Sequence, residues 1–241
     1  MAQYIISDKD YNENNVEYIG SAVNDLLVQT ESIATKKRLG SRIVMTVTCP
    51  EFYSDIIKAE LYDKISDVIT INYKYEYFKR LINPHGLNEI EKELLLTSLI
   101  AADIEEDKRY SVSKIKEYDE ISMDGIYNFR LKLLKKKWEE IVSYMPEYFI
   151  NTQLKEFIVY LLNGKKKKVY VEGGKVYDCD FRRLNRGLLM DEKLEKGKVI
   201  REILLSGSGS VDLSGELSDV DEFYLKEYYG ENVNFTSRFF S

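Results

Sequence analysis

Residues 121–164 read ISMDGIYNFRLKLLKKKWEEIVSYMPEYFINTQLKEFIVYLLNG, the longest helix-like segment of the chain and the one that holds its single Trp, Trp138. Projected at about 100° per residue, Met123, Ile126, Leu133, Leu134, Trp138, Ile141 and Met145 gather on one side, a stripe wide enough to face a core. Ser122 or Asp124 supplies an N-cap oxygen. Gly125 lies near the start, where its cost of about 1 kcal/mol in a helix interior is reduced. Pro146 removes a backbone donor and crowds the preceding turn, which predicts a kink or break. A second piece over 148–162 turns Ile150, Leu154, Phe157, Ile158, Leu161 and Leu162 inward, and Asn163-Gly164 stops it. Arg130 and Lys137 fall near the middle of the apolar stripe. Either their stems lie along the core with the charge at the surface or in an ion pair, or they hold an anionic ligand in a groove.

Upstream of this segment, 3–7 (QYIIS) is a short strand. Asn14 or Asn15 caps a helix to about Ala34, with Val16, Ile19, Val23, Leu26, Leu27 and Ile33 inward; Lys36 to Arg38 and Gly40 close it. The β-branched run 41–49 (SRIVMTVTC) is the best strand in the chain, ended by Pro50. From 51 to 82 Ile57, Leu61, Ile65, Val68 and Ile69 repeat at helical spacing. Tyr73, Tyr75 and Tyr77 alternate as in a strand, but Phe78, Leu81 and Ile82 continue the helical period, which is the preferred reading. Asn83-Pro84-His85-Gly86 is a turn. Asn88 with Glu91 is a capping-box pattern opening a helix through Ile104.

Downstream, 165–181 reads as a β-hairpin turning at Gly173-Gly174. A helix over 191–205, a flexible SGSGS connection at 206–210, a short strand to 215, a helix over 217–229 with Ser218 as cap, and a strand over 233–240 complete the chain. These elements predict an α+β fold, mostly helical, in which a helical middle is flanked by short strands from both termini forming one small mixed sheet. Three parts follow: 1–50 as a strand–helix–strand unit, 51–164 as a helical core, and 165–241 as an α/β unit sharing that sheet.

With 241 residues, 44% hydrophobic and 32% charged, the composition is that of a globular chain with a sizeable core. A net charge of −6 argues against a surface that binds nucleic acid all over. The N-terminus lacks the order of a signal peptide, and no apolar run approaches the roughly 20 residues of a membrane span. Two distant thiols, Cys49 and Cys179, fit a reducing cytoplasm.

Candidate chemistry is sparse. SGSGS lacks the strand–glycine–helix order of a phosphate loop. Asp178 and Asp180 form D-x-D, and Asp219, Asp221 and Glu222 an acidic cluster; solvated faces explain both, and acid–base or cation-binding work needs further groups beside them. His85 reads as a surface turn residue. No nucleophile has recognisable partners, and no metal site or cofactor is predicted. Lys132, Lys135, Lys136 and Lys137 with Arg130 make one basic run, and Lys165, Lys166, Lys167 and Lys168 another. They are either solvated helix faces or a patch for an anionic partner.

At DGIYNFRLK the chain resembles the YtxC-like family of sporulation proteins. The matching residues are Asp124, Gly125, Ile126, Phe129, Arg130 and Leu131, then Glu156, Phe157, Ile158, Leu161 and Leu162, with the basic hairpin behind them. The resemblance is tightest over 121–181 and is a helical-core signature. It implies a setting in spore formation and no particular reaction. Family members often end in a Cys-bearing segment that this chain lacks, so no metal role carries over. The expectation is a non-enzymatic, cytoplasmic, sporulation-associated protein acting through macromolecular interaction with a protein partner. The alternative is an RNA- or DNA-binding module using the two lysine runs.

Overall fold

The computed structural model describes residues 1–118, 120–190 and 196–236. In chain order the elements begin with β1 (Ala2–Lys9), α1 (Glu13–Gln29), β2 (Ile33–Leu39) and β3 (Arg42–Cys49). Next come α2 (Ser54–Asp67), a π-helical turn (Val68–Tyr73), α3 (Lys74–Leu81), α4 (Glu89–Ala101) and α5 (Ile104–Ile115). Then follow β4 (Glu120–Ser122), α6 (Met123–Phe129), α7 (Lys132–Ser143) and α8 (Asn151–Leu162). The remainder comprises β5 (Lys168–Glu172), β6 (Lys175–Tyr177), β7 (Arg183–Leu184), α9 (Lys198–Ser206), β8 (Ser210–Ser214), α10 (Asp219–Tyr229) and β9 (Val233–Phe235). The fold is α+β and mostly helical, as expected.

The strands do not form one sheet. They form a four-stranded sheet, β2-β3-β1-β4, and a five-stranded sheet, β7-β6-β5-β8-β9. Neither combines strands of both chain ends, because β4 takes the place beside β1 while β5 recruits β8 in parallel. The three parts expected likewise give way to two compact units, each made of two chain segments. One holds Met1–Lys74 and Glu105–Ser143, the other Tyr75–Ile104 and Tyr144–Ser241.

In the first unit, strict alternation in β1 and β3 buries Tyr4, Ile6, Ile43, Met45 and Val47 on one face. Helix α1 covers that face with Val16, Ile19, Val23 and Leu27. This helix is shorter than expected. Thr30 Oγ1 donates to the Leu26 carbonyl (2.8 Å), Glu31 takes φ 51°, and the chain turns into β2. The basic run 36–38 is therefore an edge strand, exposed along its whole length and hydrogen-bonded to β3, and not the end of a helix.

The segment 121–145 is likewise not one helix. Ser122 caps α6 through the Gly125 N–H (3.3 Å), and the helix stops at Phe129. A break at Arg130-Leu131 rephases the chain, so that Leu131, Leu134 and Trp138 are buried while Leu133 turns outward. Pro146 marks the expected interruption, and α8 begins at Asn151.

In the second unit, Asn88 and Glu91 form the expected capping box (2.8 and 2.9 Å). The β5–β6 hairpin turns at Gly173-Gly174, whose φ values of 56° and 72° suit a type I′ turn. Val169, Val171, Val176, Val211 and Leu213 line the buried sheet face. SGSGS is an ordered joint, not a flexible one. Gly209 donates to the Lys167 carbonyl (2.9 Å), and a Cβ there would stand 2.1 Å from the Lys165 carbonyl oxygen. Ser208 is buried and its N–H bonds Ser206 Oγ. Helix α10 carries the predicted Ser218 cap. The expected helix over 191–205 and strand over 233–240 appear as α9 and β9, with 191–195 and 237–240 outside the described residues.

Candidate functional site

Asp124, the first residue of the family-like motif, is held by a partner the sequence did not suggest. Arg42 Nη2 donates to Asp124 Oδ1 (2.6 Å), Ser122 Oγ (2.8 Å) and Ser7 Oγ (3.1 Å), and Nη1 reaches Asp124 Oδ2 (3.4 Å). Burial would raise the Asp124 carboxyl, but hydrogen bonds from Arg42 and Ser122 and the Arg42 charge hold it below its usual range. Gly125 and Ile126 follow in α6, with Ile126 buried. Phe129 is exposed, and Arg130 lies at the surface with its guanidinium 5.3 Å from the Tyr118 ring centre. Leu131 is fully buried. The motif is thus a folding element anchored by Arg42, and Arg130 carries its charge at the surface.

Lys137 also resolves structurally. Asp107, 1% exposed, accepts from Lys74 Nζ (2.8 Å), Lys137 Nζ (2.8 Å) and Trp138 Nε1 (3.1 Å). Lys137 further pairs with Glu106 (2.9 Å). Lys74 is fully buried and stands 5.8 Å over the Trp138 ring. Burial would raise the Asp107 carboxyl; the Lys74 charge and the three hydrogen bonds outweigh it and place it below the carboxylate range. A second carboxylate of the same unit, Asp8, is fully buried as well. It accepts from Tyr73 Oη (2.7 Å), Asn15 Nδ2 (2.9 Å) and its neighbour's N–H (2.8 Å). Burial, then the Asp8 charge and hydrogen bond, push the Tyr73 hydroxyl up. Convergence of groups this far apart along the chain has no local signature, and sequence reading missed Arg42, Lys74, Asp107 and Asp8 alike.

The two lysine runs belong to different units. On α7, Lys135 sets its ammonium 4.1 Å from the Tyr127 ring centre, and burial lowers its pKa despite Glu139; Lys132 and Lys136 are exposed. In the second unit Lys165, Lys166 and Lys167 are exposed before β5, and Lys168 pairs with Asp212 (3.1 Å).

The D-x-D carboxylates do not work as a pair. Asp178 Oδ1 accepts the N–H groups of Asp180 (2.9 Å) and Arg182 (2.8 Å), so it builds a turn. That turn holds Phe181 at φ 57° with its ring stacked on Tyr170, centroids 4.7 Å apart. In the acidic cluster, Asp221 accepts from the Ile200 N–H (3.0 Å) and Ser218 Oγ (2.6 Å), while Glu222 pairs with Lys226. These carboxylates complement the N-terminal end of α10. His85 is exposed and pairs through its backbone with Glu147 and Phe149. Cys49 is buried and Cys179 exposed, both free. Among the described residues no group of three or more His, Cys, Asp or Glu is placed to hold a metal ion, and no helix is long and apolar enough to cross a membrane.

Comparison with family models, curated proteins and solved structures gives no match. The geometry of this chain therefore carries the functional reading. Its buried polar groups serve packing, and around β5, β6 and β7 the exposed Phe181 and the half-exposed Tyr170 and Tyr177 lie among exposed lysines and arginines.

Proposed function

We propose that the protein acts by binding a macromolecule, in the setting of spore formation that its resemblance to YtxC-like proteins implies, and that it works in the cytoplasm without turning over a substrate. The observation that carries this reading is the division of labour among its charges. Arg42, Lys74, Lys108 and Lys137 are tied to carboxylates within the first unit, whereas Lys165, Lys166, Lys175, Arg182 and Arg183 of the second stand exposed in the segment that carries Tyr170, Tyr177 and Phe181. An exposed thiol at Cys179 suits a reducing compartment.

Size fractionation of a gently lysed sporulating culture tests it. The tagged chain, 28.2 kDa alone, elutes in an assembly well above that mass. Elution as the free chain at every stage of spore formation would overturn the proposal. Nuclease treatment before the column separates nucleic-acid from protein partners.

A further inference from the structure

We propose that the half-open face of the five-stranded sheet binds single-stranded nucleic acid, stacking bases on Tyr170, Tyr177 and Phe181 and holding phosphates with Lys166, Arg182 and Arg183. This deepens the binding reading above and rests on it.

Alternation in β5 sends Val169 and Val171 into the core and leaves Lys168, Tyr170 and Glu172 half-exposed on the opposite face. Register then sets Tyr177 of β6 beside Tyr170, and Arg183 of β7 beside Tyr177. Neighbouring strands lie about 4.8 Å apart, so one guanidinium and two rings form a row across the sheet. Phe181 adds a fourth planar group, stacked on Tyr170 at an interplanar angle of 26°.

Phe181 is the informative residue. A bulky side chain in the left-handed region is a backbone outlier that persists only where its surroundings impose it. Here the surroundings are a closed turn. The Phe181 N–H donates to the Asp178 carbonyl (3.1 Å), the Asp178 N–H to the Arg182 carbonyl (3.0 Å), and Asp178 Oδ1 takes two more N–H groups. All that bonding presents a phenyl ring that is 46% exposed.

The charge around these rings runs against the rest of the chain. Residues 165–186 contain five Lys and three Arg against Glu172, Asp178 and Asp180, a net +5 within a protein of net −6. The remainder therefore carries −11; within this segment Lys168 is paired with Asp212 of β8, and the other dense basic run, 130–137, lies in the first unit. Cations alone would also suit an acidic peptide. Planar groups in a row beside those cations are what unpaired bases stack on, and stacking tolerates every base because each has a π-face.

Fluorescence anisotropy on the full chain, with labelled 12-nucleotide single strands in 50 mM salt, provides the test. Single strands bind, and a duplex of the same sequence binds at least tenfold more weakly. Phe181→Gly keeps the backbone angle without strain and removes the ring; it weakens binding about tenfold, and Phe181→Trp retains it. Arg182→Glu with Arg183→Glu also weakens binding and makes its salt dependence shallower by about 1.4 in log–log slope, for two phosphates released. Lys132→Glu with Lys136→Glu on α7 leaves affinity unchanged. Circular dichroism confirms that each variant folds. The proposal is overturned by no binding at 100 µM single strand, by equal duplex binding, by indifference to Phe181→Gly and the arginine reversals, or by equally strong competition from polyglutamate. If oligonucleotides fail while the chain still travels in a large assembly in the cell extract, this surface assignment falls and the general binding reading stands.

Discussion

Replacing Asp107 by Asn removes the charge that meets Lys74 in the interior of the first unit. Lys74 is fully buried and Asp107 is 1% exposed, so the ammonium left behind cannot reach water to be solvated. Breaking a buried pair by deleting one partner costs about 3–5 kcal/mol, most of it from the uncompensated charge. The substituted amide keeps an acceptor for Trp138 Nε1 but turns a donor toward an ammonium, which places the expected loss within that range. Lys74→Met costs less, about 1–3 kcal/mol, because Asp107 retains Lys137 and Trp138. The double variant is more stable than the sum of the two losses predicts, by about 1–3 kcal/mol. Trp138 is the chain's single Trp and touches Asp107, so its fluorescence follows unfolding of this unit. For a urea slope of about 1.5–2 kcal/mol/M, Asp107→Asn lowers the midpoint by about 1.5–3 M. A midpoint shift under 0.3 M, or strict additivity in the double variant, would refute the assignment of Asp107 as the anchor of this core.

Gly209→Ala sets a Cβ 2.1 Å from the Lys165 carbonyl oxygen, backbone that cannot swing aside; it destabilises the second unit by at least the 1–3 kcal/mol typical of overpacking, read by thermal unfolding. Arg130→Ala costs at most about 1 kcal/mol, the value of a surface cation over a ring, and a loss above 2 kcal/mol would contradict that placement. Asp107 and Asp124 both titrate below the unfolded carboxyl value of about 3.9, so each binds its proton more readily when the chain unfolds. Their contribution is complete above pH 5 and is lost as the pH falls below 4 through their folded values. A Trp138-detected acid transition that Asp107→Asn flattens is the expected result.

What was legible in the sequence was local. The Asn88 capping box, the Gly173-Gly174 hairpin, the strand expected over 41–49 and the Pro146 interruption each rest on a few adjacent residues with strong local preferences. Edge strand β2 escapes a local reading because residues 33–39 fit either a helix end or a strand, and pairing with β3 decides it. The break at Arg130-Leu131 carries no Gly or Pro; it is imposed by the need to bury Leu131 and Trp138 together. The Arg42–Asp124 fork joins positions 82 apart, and the Lys74–Asp107 pair positions 33 apart, distances at which periodicity says nothing. Both lysine runs were visible, but not that Lys137 is tied to Asp107, nor that Phe181 is held out over Tyr170.

Photocrosslinking of a 4-thiouridine-substituted single strand to the full chain, followed by peptide mapping, locates any bound base directly. Adducts on Tyr170, Tyr177 or Phe181 are predicted. Adducts confined to α7 around Lys132 and Lys136, or none above the level of a polyglutamate-blocked control, would contradict the placement of recognition on the five-stranded sheet.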